Sequence, residues 1–273
     1  MAGAGARLAP IEWGAMTQIP TLVDLNPANI QTLPCCGVKS LDHLGRCNKN
    51  RWLKAQFKKG LRAKMLLTPD DRQCGYIEYT PGEHAWRGVD AAGYMFIHCI
   101  LNLTKSYKNR GLGARLIETC LEDAAHAGMR GLAVVAREQP WLAGPALFLA
   151  NGFEVVDTAP PDYQLLVRKL KPSAANPAFR GGWEAKLAKY RRGLTLIFSD
   201  QCPHIARFAA EISESARHDY HLKPRIVRLR SAREAQNAPT PYAVFALLYE
   251  GRILADHPIS RTRFRSIMRR LRE

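Results

Sequence analysis

The feature that most constrains this chain is a pair of glycines between a strand-like run and a helix-like run. Residues 107–116 read YKNRGLGARL; they follow an apolar run at 93–103 and open an amphipathic run at 111–127. Two glycines at such a junction let backbone N–H groups gather around an anion, and the helix N-terminus adds partial positive charge. The segment therefore predicts a pyrophosphate cradle, with an ordinary tight strand–helix turn as the alternative.

The composition is that of a globular protein with one large or two small domains. Of 273 residues, 47% are hydrophobic and 23% are charged. The apolar runs are too short to span a bilayer, and we recognise no signal peptide. Seven irregularly spaced cysteines without a secretion signal favour reduced thiols. We therefore expect a cytoplasmic protein with no membrane partner.

A stretch rich in proline and small residues divides the chain into two halves. Residues 170–178 read LKPSAANPA and have no apolar periodicity, which is typical of a linker. We predict a disordered extension at 1–18, a first α/β domain at 19–171, a linker at 172–190 and a smaller second α/β domain at 191–273.

Apolar periodicity predicts the secondary structure of both halves. Before the linker we predict strands at 21–25, 63–67, 73–79, 93–103, 131–136, 154–157 and 164–170, and helices at 49–60, 111–127 and 141–151. After it we predict strands at 194–199, 225–229, 243–249 and 252–255, a helix at 203–216 and a final amphipathic helix. In that last helix Phe264, Ile267, Met268 and Leu271 share one face, which predicts docking by that face.

The net charge of +16, with 40 Lys and Arg residues, raises the question of a nucleic-acid partner. The arginines are most concentrated in the last helix, where they would lie on the solvated face. No recognised nucleic-acid-binding motif accompanies them. A basic protein with a large anionic ligand is therefore the preferred interpretation, and nucleic-acid binding is kept as an alternative.

Two motifs in the first half resemble those of the GNAT superfamily of N-acetyltransferases. The superfamily's Arg/Gln-x-x-Gly-x-Gly/Ala motif corresponds to Lys108-x-x-Gly111-x-Gly113 here, and its aromatic-x-x-x-Gly-Phe motif to Phe148 followed by Gly152 and Phe153. Their order and spacing are those of the family. The resemblance covers about residues 21–170.

The whole chain also resembles the YoaP-like group of that superfamily. The shared sequence segments are Cys35-Cys36, WLKAQF at 52–57, Ala85-Trp86, Gln201-Cys202-Pro203 and EAQNAPTP at 234–241. This resemblance implies an α/β (α+β) chain. It would have a GNAT mixed sheet with flanking helices, followed by a small thioredoxin-like α/β domain.

The resemblance implies acetyl-CoA as co-substrate. The pyrophosphate would be held by Lys108, Asn109, Arg110, Gly111, Leu112, Gly113 and Ala114. Leu101, Asn102 and Leu103 would lie at the end of the preceding strand, where a backbone N–H near Leu103 would polarise the thioester carbonyl. Phe148 is assigned to the same cofactor site.

The proton-transfer residues are less defined. Phe148 stands where the family often has the tyrosine that protonates the leaving thiolate. Tyr163 is a candidate to take over that role, and the alternative is that Tyr163 is an ordinary core tyrosine. His98 and Glu78 are rival candidates for the base, with a structural histidine and a solvated carboxylate as alternatives. Strand alternation would place Phe96, His98, Ile100 and Asn102 on one face.

The early cysteines lie where family members build the acceptor site. Cys35 and Cys36, with His43 and Cys47, could bind a soft metal, but a vicinal pair is poor geometry for tetrahedral zinc. We therefore predict no metal. We assign Cys35, Cys36 and Trp86 to the acceptor side instead, with two small buried thiols as the alternative for the pair.

Cys202 follows a predicted strand and opens a predicted helix, a position that lowers the pKa of a thiol. This position resembles the active-site corner of the thioredoxin fold, where Cys-x-x-Cys is usual. The second cysteine is missing here, because the sequence is Cys202-Pro203-His204-Ile205. Pro241 would correspond to that fold's cis-proline. Cys202 is therefore a candidate nucleophilic or thiol-binding residue, and a degenerate packing module is the alternative.

Together these features predict an acetyl-CoA-dependent N-acetyltransferase that acts on an amine of a small molecule or a peptide. Acetylation of an aminoacyl-tRNA, suggested by the charge of +16, is one alternative. A thiol-binding or redox module centred on Cys202 is the other. The loops that would recognise the acceptor contain no sequence motif that identifies its chemistry. No recognised motif indicates the oligomeric state.

Overall fold

The computed structural model describes residues 19–38, 40–104, 107 and 109–273; the predicted extension at 1–18 and Lys108 lie outside the described residues. The helices are α1 (Leu44–Phe57), α2 (Leu112–His126), α3 (Pro145–Leu149), α4 (Trp183–Leu187), α5 (Ile205–Tyr220), α6 (Ala232–Gln236) and α7 (Arg261–Arg270). The strands are β1 (Thr21–Leu25), β2 (Arg62–Leu67), β3 (Gln73–Pro81), β4 (Val89–Asp90), β5 (Met95–Asn102), β6 (Gly131–Ala136), β7 (Glu154–Ala159), β8 (Tyr163–Lys169), β9 (Ala178–Phe179), β10 (Leu194–Phe198), β11 (Arg225–Arg228), β12 (Phe245–Tyr249) and β13 (Arg252–Ala255).

The first half is built on a seven-stranded mixed sheet in the order β1-β2-β3-β5-β6-β8-β7. Only β5 and β6 are parallel neighbours; the other pairs are antiparallel. α2 packs Leu116 and Ile117 on one face of this sheet. α1 packs Trp52 and Leu53 on the other. The mixed α/β fold with flanking helices that the sequence predicts is thus confirmed.

The second half has a four-stranded sheet in the order β11-β10-β12-β13, in which β10 and β11 are parallel. α5 and α7 pack together, with the rings of Tyr220 and Phe264 5.6 Å apart. Phe264, Ile267 and Met268 are buried as predicted. Leu271 is not, because α7 ends at Arg270 and Leu271 is an exposed cap residue.

The segment predicted to be a linker, residues 172–190, is packed along the first half. β9 pairs with β4, and the backbone N–H of Phe179 donates to Asp157 Oδ2 at 2.7 Å. Trp183 lies so close to Gly88 that a Cβ there would come within 2.6 Å of its ring. One continuous hydrophobic core contains residues of both halves, so the halves are joined by packing as well as by the chain.

A β-bulge interrupts β5 in front of β3. Ile97 pairs with Tyr79 and Cys99 pairs with Glu78, which leaves His98 as the extra residue. Beyond it Cys99 packs on the same side as Phe96, whereas Ile100 packs on the α2 side. The predicted alternation is therefore wrong after His98, because the bulge shifts the pleat by one residue.

Candidate active site

A cavity opens where β5 and β6 separate. The two parallel strands pair only from Met95 to Ile97, opposite Leu132 to Val134, and then diverge. The cavity has a volume of about 330 Å³ and extends from this gap to the second half of the chain. Its apolar side is lined by Ile97, Ile100, Leu101, Leu103, Val134, Leu142, Ala143 and Phe148, and its polar side by Lys49, Tyr76, Glu78, Arg87, His98, Gln201 and Tyr242.

The helix that follows β5 begins as the glycine pattern predicts. Gly111 is the N-cap of α2 with φ of 71°, a left-handed conformation that glycine adopts without steric cost. The first helical amides of α2, from Leu112 to Ala114, have no intrahelical acceptors and carry the positive end of the helix dipole. Gly113 lies against α3, where a Cβ would meet the Leu147 side chain at 2.9 Å.

The backbone N–H of Leu103 itself is not free, so the donor predicted near Leu103 would belong to a neighbouring residue. The Leu103 N–H donates to the carbonyl of Cys74 at 3.0 Å, which continues the β3–β5 ladder. In an antiparallel ladder such bonds alternate, so the N–H groups of Ile100 and Asn102 point towards the gap instead. The Asn102 side chain donates to the carbonyl of Tyr107 at 3.0 Å and so braces the loop before α2.

Glu78 is the centre of the polar side. Its carboxylate is fully buried, forms an ion pair with Lys49, and accepts a hydrogen bond from Tyr76 OH at 2.7 Å and from Gln201 Nε2 at 3.1 Å. Burial alone would raise the pKa of Glu78, but the charge of Lys49 and the contact with His98 outweigh it and hold that pKa well below its usual range. Glu78 is therefore an anion at neutral pH.

His98 is placed beside Glu78 but both of its nitrogens face protein atoms. The backbone N–H of Trp86 donates to Nε2 at 2.8 Å, and Nδ1 lies 3.5 Å from Glu78 Oε1. Burial lowers the pKa of His98 to about 4. The neutral imidazole must then carry its proton on Nδ1, so Nε2 is not available as a base. This geometry fits the structural histidine that sequence reasoning kept as the alternative.

Arg87 and Gln201 join the two halves across the cavity. Arg87 Nη1 donates to Gln201 Oε1 at 2.7 Å and to the Trp86 carbonyl at 2.8 Å, while Nη2 donates to the His98 carbonyl at 2.8 Å. The guanidinium also lies over the ring of Tyr242, 4.9 Å from its centroid. Because Gln201 bonds both Arg87 and Glu78, residues of the second half complete the polar side.

Of the early cysteines, only Cys36 lines the cavity. Cys35 and Val38 form a two-residue hairpin around Cys36 (φ 48°) and Gly37 (φ 78°). The Cys36 carbonyl contacts His204 Nε2 at 3.2 Å, which ties this turn to the second half. A hydrogen bond between the two thiols lowers the pKa of Cys35 and raises that of Cys36.

Cys202 lines the same cavity but does not open a helix. α5 begins at Ile205 with His204 as its N-cap, so Cys202 precedes the first helical amide by three residues. Burial raises the pKa of Cys202 to about 11, the opposite of the shift predicted from a helix start. The peptide before Pro241 is also not cis; the cis bond among the described residues is Pro160–Pro161.

Trp86 and Tyr163 are among the predicted site residues that lie outside the cavity lining. Trp86 is buried against Trp52, with the ring centroids 5.4 Å apart, and its Nε1–H donates to Gln56 Oε1 at 3.3 Å. Tyr163 is buried at the contact between the halves, where Arg137 donates to its hydroxyl at 3.1 Å and also pairs with Asp256 at 2.7 Å. The structure therefore brings Glu78, His98, Cys36 and Cys202 together, but not Trp86 or Tyr163.

Sequence reasoning missed Lys49, Tyr76, Arg87, Gln201 and Tyr242 as site residues. One signal was present for Lys49: with Trp52, Leu53 and Gln56 it has the i, i+3, i+4, i+7 spacing of the buried face of α1. A lysine on such a face requires a buried partner, which is Glu78. The other four residues carry no comparable pattern.

Within the described part of the chain, no group of three or more His, Cys, Asp or Glu side chains is arranged to hold a metal ion. None of the helices described is both long enough and apolar enough to cross a membrane.

Comparison with known proteins relates the chain to acetyltransferases. A family model described as YoaP-like matches residues 225–265. The uncharacterized N-acetyltransferase YoaP of Bacillus subtilis (strain 168) is 28% identical over 240 residues, which cover 87% of this chain and 93% of that protein.

Two solved structures are similar to part of the chain. The GNAT family N-acetyltransferase YhbS of Escherichia coli, in complex with CoA, has 13% identity and a TM-score of 0.40, covering 60% of this chain and 91% of that one. The aminoglycoside acetyltransferase AAC(6')-Ib, in complex with coenzyme A, has 14% identity and a TM-score of 0.41. The match covers 55% of this chain and 95% of that one. At these scores neither likeness bears on function. The chain is thus similar to the N-acetyltransferase YoaP over most of its length.

Proposed function

We propose that this protein is an acetyl-CoA-dependent N-acetyltransferase whose acceptor amine binds in the cavity between its two halves. The observation that carries the proposal is one cavity that joins the β5–β6 gap to the polar cluster around Glu78. The gap would take the acyl end of the donor, and the cluster would take the acceptor. Similarity to an N-acetyltransferase over most of the chain supports the same assignment.

The donor would be held by the backbone at the start of α2. The positive end of the helix and its open amides suit a pyrophosphate, and Gly111 leaves room for the close approach. The apolar side of the cavity, including Leu101 and Phe148, would enclose the pantetheine arm. The N–H groups of Ile100 and Asn102 face the gap and are our candidates for polarising the thioester carbonyl.

Glu78 would bind and orient the acceptor amine. Its lowered pKa makes it a stable anion, which suits an ammonium ligand better than strong general-base chemistry. Once the ammonium has lost a proton to solvent, the nitrogen lone pair attacks the carbonyl carbon. The tetrahedral intermediate then breaks its C–S bond and expels the CoA thiolate, which would take a proton from a nearby acid, and the nitrogen would pass its second proton to the conjugate base of that acid. His98 touches Glu78 and acts as a positioning residue.

A tyrosine of the second half is our candidate for protonating the leaving thiolate. Phe148 cannot do so and Tyr163 does not line the cavity, whereas Tyr242 does. Its hydroxyl carries a proton at neutral pH and would pass it to the thiolate as the C–S bond breaks, although burial raises the pKa of Tyr242 and so weakens it as an acid.

We also propose that the second half is thioredoxin-like in fold but not in chemistry. Its order of elements, β10-α5-β11-α6-β12-β13-α7, and its sheet order support the resemblance. Cys202 has no partner cysteine at the next turn and has a raised pKa, which disfavours a redox role at neutral pH. Its function would be to supply Gln201 and Tyr242 to the acceptor site.

The experiment is an untargeted acetylation screen with the full chain. Incubation with acetyl-CoA and a metabolite extract should give a product heavier by one acetyl group together with released CoA thiol. The Glu78→Gln variant is the control and should give neither. A folded wild-type protein that binds acetyl-CoA but acetylates nothing in small-molecule or peptide extracts would contradict the proposal.

A further inference from the structure

Among the described residues that line the cavity, basic side chains of Lys and Arg outnumber carboxylates. Lys49 and Arg87 are both buried there, with Arg87 only 3% exposed, and Glu78 is the one carboxylate in that described lining. Glu78 already pairs with Lys49. Among the described residues, no Asp or Glu forms an ion pair with Arg87. A buried charge without a counter-ion is costly, so this excess indicates that the natural ligand is anionic at this end.

The thiols of the cavity do not supply the missing negative charge. Burial raises the pKa of Cys99 to about 12 and that of Cys202 to about 11. The pKa of Cys36 is raised as well, by its hydrogen bond to Cys35. All three lining thiols are therefore neutral at physiological pH. Cys35, whose pKa is lowered, is not among the lining residues.

Arg87 is held in a fixed position, and not all of its N–H groups are used by the protein. Three of its five N–H groups donate to neutral oxygens of Trp86, His98 and Gln201. The remaining Nε–H and one Nη2–H have no acceptor among the described residues and are donors that a carboxylate could accept from. Packing over the ring of Tyr242 restrains the plane of the guanidinium.

We propose that the acceptor is a small amine that also carries a carboxylate, which Arg87 binds while Glu78 faces the amine. The acceptor class is then amino acids and amino-acid-like molecules, whose opposite charges match the two ends of the polar cluster. This inference rests on the proposed transferase function and names the substrate class of that site.

The test compares matched pairs of amines that differ only in whether they carry a carboxylate or a carboxamide. Each amino acid, together with β-alanine and γ-aminobutyrate, is assayed beside its own carboxamide for CoA release from acetyl-CoA. For the best pair we expect kcat/KM to be at least about tenfold higher for the acid. In Arg87→Gln this ratio should fall to near one, mainly through KM, whereas Arg87→Lys should keep part of it. The ratio is measured within one protein, so a partly unfolded variant does not distort it.

Arg137→Gln is the matched control, because Arg137 is also a buried arginine between the halves but does not line the cavity. It should lower stability and leave the acid-to-amide ratio unchanged. Equal turnover of acids and amides, a ratio that survives in Arg87→Gln, or no turnover of any acid while acetyl-CoA still binds would overturn the inference. Absence of acetyl-CoA binding would instead overturn the transferase proposal itself.

Discussion

At the scale of single residues, the site depends on one buried ion pair. Lys49 and Glu78 are each almost fully inaccessible, and each holds the other in its charged form. Breaking such a pair by removing one partner costs about 3–5 kcal/mol, whereas replacing both charges is often neutral. Stability and catalysis can therefore be separated at this pair by comparing single and double variants.

Glu78→Gln should destabilise the protein by about 3–5 kcal/mol, because it leaves the ammonium of Lys49 buried without a counter-ion. The double variant Lys49→Met/Glu78→Gln should recover most of that loss in urea unfolding. Acetyl transfer should stay reduced by at least about a hundredfold in both, since neither can bind the amine. If the double variant regains activity along with stability, Glu78 has only a structural role.

His98 should make stability depend on pH. Burial lowers its pKa from 6.5 to about 4 in the folded protein. Between those values the unfolded chain binds the proton and the folded protein does not, so stability is lost as the pH falls from 6.5 to 4. The contribution is roughly 3 kcal/mol.

The measurement is urea unfolding of wild type and His98→Asn at a series of pH values. The stability advantage of wild type should shrink by roughly 3 kcal/mol between pH 7 and pH 4. An advantage that is constant over this range would show that His98 is not held neutral by burial.

At the scale of elements, the strand–glycine–helix unit was predictable, but the bulge within its strand was not. The boundaries of α2 follow from its apolar periodicity and its glycines. The bulge at His98 has no sequence signature, because any residue can occupy the extra position. For that reason the prediction of which β5 residues share one face of the sheet was correct as far as Phe96 and wrong beyond His98.

Two glycines of α2 allow a matched test of the cradle. Gly111 and Gly128 flank the helix with φ of 71° and 68°, so alanine should cost roughly 1 kcal/mol of unfolding free energy at either position. Only Gly111 lies at the proposed pyrophosphate site. Gly111→Ala should raise the Kd for acetyl-CoA at least about tenfold, and Gly128→Ala should leave it unchanged. Equal effects on binding would contradict the assignment of the cradle.

At the scale of the whole molecule, the two halves build one site. The strands of both sheets were predictable, because each half of the sequence has its own strand and helix pattern. The sequence did not reveal that residues 172–190 pack along the first half, nor that Arg87 meets Gln201. Arg87 and Gln201 are 114 positions apart, and no local pattern encodes a contact between residues so distant in sequence.

The shared core predicts cooperative unfolding. The hydrophobic core is continuous between the halves, and the pair of Arg137 with Asp256 is also shared. Scanning calorimetry of the full chain should therefore show a single transition. Two separate transitions would show that the halves are independent domains.

The decisive experiment is calorimetric titration of the folded full chain with acetyl-CoA. We expect one binding site per chain, with an affinity that falls as salt rises because the ligand's phosphates are held by charge and helix dipole. A folded sample that gives no binding heat and no thermal stabilisation with acetyl-CoA would contradict the proposed function.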